Sequence, residues 1–181
     1  MNTRMNQEMI SLLRNLKDKR LINIECKYEE KFKRTYGYLR LNTDDVSIDI
    51  TNIVEPMSLF GEVEDVAVFR CYNNTGKSIK EAFKLVDYYE TSLIEISEII
   101  KNISIVHEKV IKNSSEEMIF DMCIIIETEN HKYLISRKNW FMELIYINKD
   151  EEFDNIYPIE EDKQIWTDYF DTTIERIVEE L

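Results

Sequence analysis

The sequence predicts an α+β fold: a mostly antiparallel sheet of about eight strands with three helices, in a single domain spanning residues 1–181. Three observations lead there. Apolar residues alternate with polar ones at a period of two along most of the chain, the pattern of strands with one buried face. Three other stretches space their apolar residues at the helical period. Glycine and proline are confined to Gly37, Gly61, Gly76, Pro56 and Pro158, so clusters of Asn, Asp and Ser do most of the punctuation between elements.

Residues 5–18 read as the first helix, because Met5, Met9, Leu12, Leu13 and Leu16 share one stripe. Ile22, Ile24, Cys26 and Tyr28 then alternate with Asn23, Glu25 and Lys27 as a strand. In the next strand Gly37, Leu39 and Leu41 form one face, and Tyr36, Tyr38 and Arg40 the other. The turn at 42–45 leads into Val46, Ile48 and Ile50, which alternate with Ser47, Asp49 and Thr51. Residues 53–62, with Pro56 and Gly61, read as a connection, and 66–72, apolar on both faces, as an inner strand.

Asn73-Asn74-Thr75-Gly76 is a turn, and Ser78 with Glu81 three residues on makes a capping box. Ile79, Phe83, Val86, Leu93, Ile96 and Ile100 extend the predicted second helix to about Lys101. Four further strands follow at 103–111, 118–127, 132–137 and 141–147, the middle pair joined as a hairpin. The acidic stretch 150–162, interrupted by Pro158, reads as a loop. Trp166, Phe170, Thr173, Ile177 and Leu181 mark a final amphipathic helix. Residues 1–76 and 77–149 also invite reading as two similar halves, each a helix plus four strands, ahead of the acidic loop and C-terminal helix of 150–181.

Charge is distributed unevenly. The first forty residues carry ten basic and five acidic side chains, net +5; residues 41–149 carry net −8. Residues 150–181 hold twelve acidic and two basic side chains, net −10, which completes the chain's −13. Such a balance opposes nucleic-acid binding and favours a cationic partner. No apolar run approaches the ~20 residues that cross a bilayer, and the N-terminus lacks the apolar core of a signal peptide. Cys26, Cys71 and Cys123, odd in number and each inside an alternating apolar segment, read as buried thiols of a reducing compartment. The expectation is therefore a cytoplasmic protein that is not associated with membranes.

Motifs for chemistry are absent. Three dispersed glycines build no phosphate cradle or dinucleotide turn, and no serine lies in a nucleophile elbow. His107 and His131 have no second histidine or cysteine at ligand spacing. Cys123 with His107 forms a conceivable thiol–imidazole pair, but alternation explains Cys123 as a core residue. Asp121, Glu127, Glu129 and Lys132 resemble scattered parts of a metal-dependent nuclease site without its spacing, and the net charge opposes a polyanionic substrate. No catalytic residue, metal or cofactor is predicted.

The leading expectation is a non-catalytic acidic protein-binding module. It would neutralise or regulate a basic protein partner, as an immunity or antitoxin protein masks a nuclease toxin. The predicted contact residues are Trp140, Asp150, Glu151, Glu152, Phe153, Asp154, Tyr157, Glu160, Glu161, Asp162 and Trp166, carboxylates for steering with aromatic anchors between them. Two other classes stand beside it. One is a ligand or enzyme site built from strand residues such as Tyr36, Tyr38, His107, Asp121 and Arg137. The other is a self-associating structural protein of phage or mobile-element origin.

Overall fold

A computed structural model describes residues 3–84, 90–113, 116–161, 163–164 and 172–181. Its elements are α1 (Gln7–Arg14), β1 (Arg20–Cys26), a 3₁₀ turn (Glu30–Phe32), β2 (Arg34–Tyr36), β3 (Tyr38–Thr43), β4 (Ser47–Leu59) and β5 (Glu62–Asn73). Then come α2 (Ile79–Phe83), β6 (Ser92–Lys112), β7 (Glu116–Thr128), β8 (Lys132–Ser136), β9 (Leu144–Lys149), α3 (Phe153–Ile156) and β10 (Thr172–Glu180). The molecule is thus mostly antiparallel sheet with a few short helices, with ten strands among the described residues where about eight are expected.

Hydrogen-bonded neighbours run in the order β2-β9-β8-β7-β6-β1-β3-β4-β5, with β10 added to β6. Only Gly37 separates β2 from β3, so the path from β3 through β1, β6, β7, β8 and β9 to β2 returns to its start as a ring. Gly37 sits at φ +76°, a conformation that a side chain would strain. Its N–H donates to the Glu143 carbonyl and its own carbonyl accepts from Asn52. The Asn52 side chain, fully buried, donates to the carbonyls of Met142 and Leu144 and locks the same seam. Strands from both proposed halves interleave here, since β1 pairs with β6 and β2 with β9.

Several elements depart from the sequence reading. Residues 53–62 are no loop: β4 and β5 form a long hairpin whose two-residue turn is Phe60-Gly61. Both turn residues take positive φ, 50° and 93°, the geometry that matches strand twist. Pro56 is tolerated because β4 beyond Thr51 pairs with β5 alone and its other edge is open. The strand expected at 66–72 is β5, the last in the order and not an inner strand; α1 and the segment around Trp140 cover it instead.

The second helix ends at Phe83, and Leu93, Ile96 and Ile100 belong to the 21-residue strand β6. A bulge explains the deception. Ser97 takes φ 60°, and β6 uses three residues (Glu95 to Glu98) against two of β1 (Leu21 to Asn23). One inserted residue converts a period of two into a spacing that mimics 3.6. Val86 lies outside the described residues. The expected C-terminal helix is replaced by strand β10, which pairs with β6 from Thr172 opposite Lys112 to Glu180 opposite Ser104. Its run of Thr, Ile and Val is β-branched, and Ile174, not Ile177, is the buried residue. Trp166 and Phe170 lie outside the described residues.

Two apolar cores fill the structure. The first lies inside the ring, where Leu21, Ile24, Leu39, Leu41, Ile105, Ile124, Ile135 and Ile145 meet Ile10, Leu13 and Leu16 of the α1 segment. Asn6 caps α1 through Met9 N–H. The second core joins the distal β4–β5 hairpin to the far ends of β6 and β7, with Met57, Val66, Val110, Phe120, Trp140, Phe153, Tyr157 and Ile174. Among the described residues no helix is long and apolar enough to cross a membrane.

Candidate interaction surfaces

The acidic segment after β9 is folded onto the sheet, not suspended as a loop. It contains α3, and residues 159–161 are helical after Pro158. Most of its carboxylates already hold a cation of their own chain. Asp150 accepts from the Lys132 N–H (3.0 Å) and meets His131 Nδ1 at 2.8 Å; these contacts hold its carboxyl below the usual range. Glu151 pairs with Lys33 at 2.8 Å, which lowers it likewise. Glu152 pairs with Lys132, Asp154 with Arg176 (2.6 Å) and Glu160 with Lys163 (2.7 Å). Glu161 is exposed, and Asp162 and Trp166 lie outside the described residues.

The aromatic residues predicted as anchors are core residues. Trp140, Phe153 and Tyr157 are 3, 5 and 7 % exposed. Trp140 stacks on Phe120 at 4.5 Å between ring centroids and donates its indole N–H to Met122 Sδ. Phe153 carries Arg176 over its ring and packs edge-on against Tyr157. Burial of that size contributes about 1.5–3 kcal/mol per side chain to folding. These rings stabilise the segment and leave little surface for a partner.

Uncompensated negative charge collects elsewhere. From Leu41 to Phe69 the chain has no Lys or Arg and seven Asp or Glu, of which Asp45, Asp49 and Glu55 pair with Lys19, Arg40 and Arg70 from outside the run. At the β4–β5 tip Glu62, Glu64 and Asp65 are exposed and form no ion pair with a described residue. Val63 among them is 75 % exposed. The signal for this tip was in the sequence, as the longest cation-free run, but it was obscured by the larger count after residue 149.

The residues considered for chemistry are built into buried structure. His107 sits between Asp121 Oδ1 (2.8 Å from Nδ1) and Glu179 Oε2 (3.0 Å from Nε2), with Arg4 Nη2 3.1 Å from the latter nitrogen. Asp121 also accepts the Met5 N–H at 2.6 Å, so this network clasps the N-terminal arm, β6, β7 and β10 together. Cys123 lies in the second core, where burial pushes its thiol up. Glu127, Glu129 and Lys132 do not join Asp121: Glu129 pairs with Lys101 and Lys132 with Glu152. Among the described residues no three His, Cys, Asp or Glu side chains converge to hold a metal ion.

Of the proposed ligand set, His107 and Asp121 touch. Tyr36 is on the surface, Tyr38 stacks on Phe83 at 4.6 Å, and Arg137 is fully buried near the Phe69 and Phe120 rings. Arg137 donates one N–H to the Ala67 carbonyl, and burial pulls its guanidinium down to about 10. Its Nε and Nη2 find no partner among the described residues. An open cleft of about 350 Å³ lies between the end of α1 and the start of β4, lined by Leu12, Asn15, Lys19, Val46, Ile48 and Asn73. Lys19 there is already held by Asp45. Compared with known proteins, the chain matches no family model, and no curated protein or solved structure is significantly similar to it.

Proposed function

We propose that this chain is a non-catalytic binding module for a cationic protein partner, acting in the manner of an immunity or antitoxin protein. What supports the reading is charge that the fold leaves unanswered: net −13 overall, with Glu62, Glu64 and Asp65 unpaired at an exposed hairpin tip. Electrostatic complementarity of this kind raises association rate and selects against anionic competitors. The acidic segment 150–161 contributes a second, weaker area, since four of its carboxylates share their charge with Lys or Arg of the same chain. In this proposal Trp140, Phe153 and Tyr157 hold that segment in place and do not themselves anchor the partner.

The test is capture of partners from the native host at about 0.1 M and about 1 M salt, where the screening length falls from about 10 Å to about 3 Å. Binding of the purified partner is then compared between the wild type, a tip variant (Glu62→Gln, Glu64→Gln, Asp65→Asn) and a segment variant (Asp154→Asn, Glu160→Gln, Glu161→Gln). Each exposed ion pair contributes about 0.2–1 kcal/mol, so losing three at the tip weakens binding by about 1–2 kcal/mol, roughly tenfold. The segment variant loses less. Binding that ignores both salt and the tip variant refutes the reading.

A further inference from the structure

Five of the large apolar side chains that the fold leaves exposed lie on segments that meet at the Gly37 seam. Phe32, Tyr36, Ile53, Phe141 and Met142 are each between 41 and 62 % exposed. Hydrogen bonds bring their backbones together. Arg34 Cζ lies over the Phe32 ring at 4.6 Å and shares the outer face of β2 with Tyr36, while Thr35 between them is buried. The Glu143 carboxylate accepts the Val54 N–H at 2.9 Å and, close to Tyr36, raises that phenol above its ordinary value. Asn52, beside Ile53, holds the Met142 carbonyl at 2.9 Å. The stripe is therefore carried by backbone that hydrogen bonds hold together at the seam.

We infer that this stripe is the contact surface of a symmetric homodimer. Two observations select a second copy as its occupant. The first is charge. The ionisable groups of the segments that carry the stripe, with the residues paired to them, are Lys31, Lys33, Arg34, Arg70 and Lys138 against Glu29, Glu30, Glu55, Glu143 and Glu151, which sum to zero on a chain of net −13. Two such chains repel over most of their surfaces, and least where the local charge cancels. A cationic partner gains nothing from the same neutral area. The second is size. Side chains of this kind present about 200 Å² each, so half-exposed they offer about 500 Å² of apolar surface per copy. Two copies bury about 1,000 Å² from these residues alone, the lower bound for a specific interface, and the intervening polar groups add to it. Aromatic residues, Met and Arg are also the types that interfaces favour.

This inference is independent of the proposed cationic partner, and its salt dependence has the opposite sign. Sedimentation velocity over a wide concentration range is expected to show the mass rising from 21.8 kDa toward twice that value. Association is expected to strengthen as salt screens the mutual repulsion of the two anionic chains. Tyr36→Lys and Phe141→Lys, both at exposed positions, are each expected to weaken association at least tenfold without changing the far-ultraviolet circular dichroism. Val63→Lys at the hairpin tip, outside the stripe, is expected to leave it intact. A monomer at every concentration up to the millimolar range overturns the inference. So does a dimer that survives Tyr36→Lys, or one that Val63→Lys dissociates.

Discussion

Replacing Asp121 by Asn tests whether the clasp around His107 is a structural joint. The carboxylate is 1 % exposed and receives the Met5 N–H at 2.6 Å and the His107 ring at 2.8 Å, with Arg4 Nε at 3.6 Å. Hydrogen bonds to a charged group contribute about 1.5–3 kcal/mol each, against about 0.5–1.5 for neutral ones. Asn retains one carbonyl oxygen for the Met5 N–H. Its amide then faces His107, which adjusts by carrying its proton on the other ring nitrogen. Two charged bonds become neutral, so the loss is about 2 kcal/mol, with Arg4 still held by Glu179 at 2.9 Å. Asp121→Ala leaves three buried groups facing a void and loses about 3–5 kcal/mol, the range for breaking a buried pair from one side. Urea unfolding measures both, with the slope expected unchanged and the midpoint lowered. Amide exchange at Met5 supplies the local readout, since the acceptor of its N–H on β7 is lost with Ala. If both variants unfold within about 0.5 kcal/mol of the wild type, the range of an inconsequential surface change, the clasp is not a joint and the reasoning fails.

Two further outcomes follow from burial and charge. Burial pushes the Cys26 thiol up to about 12 and raises Cys71 and Cys123 as well, so a thiol reagent at neutral pH should label none of them until denaturant is added, and then all three; rapid labelling of any one in the native chain contradicts the placement. The Asp150 carboxyl is depressed in the folded chain, chiefly by the Lys132 N–H and then by His131, so its contribution is present above the unfolded value near 4 and is lost as pH falls through the folded one. Asp150→Asn should therefore be less stable than the wild type near neutral pH, and the difference in urea midpoint should vanish in strong acid; a difference that grows on acidification has the wrong sign.

The parts of the fold legible in the sequence are those where pattern and register agree. The β7–β8 hairpin, with Thr128 N–H bonded to the His131 carbonyl, and the capping box of Ser78 with Glu81 were readable because a local rule fixes each. β6 was not. Its Ser97 bulge displaces the apolar set by one residue, and no sequence rule distinguishes that from helical spacing. β10 was missed for a related reason: Thr173, Ile177 and Leu181 stand four apart, while the buried residue is Ile174. Ring closure was also hidden, because it depends on one backbone angle at Gly37 and on Asn52 reaching carbonyls ninety residues away. The candidate surfaces were legible only as composition. Which carboxylates find cations is decided by contacts such as Lys33 with Glu151, separated by 118 positions.

Those long-range contacts change what net charge means for this chain. Counted along the sequence, the negative charge is concentrated after residue 149, and a basic partner would be expected there. Counted in the folded state, that segment is stitched to Lys33, Lys132, Lys163 and Arg176, and the Coulomb energy of its carboxylates is largely spent within the chain. The β4–β5 hairpin has the opposite fate. Asp49 and Glu55 of β4 pair with Arg40 and Arg70, but Glu62, Glu64 and Asp65 project from the two-stranded tip and form no ion pair with a described residue, so their field reaches solvent. The neutral apolar seam at Gly37 completes the division. Under the two proposals, binding of a cationic partner at the tip weakens with salt, while association of two anionic copies at the seam strengthens with it. A single salt titration read by both partner binding and sedimentation therefore separates two surfaces that composition alone merges into one.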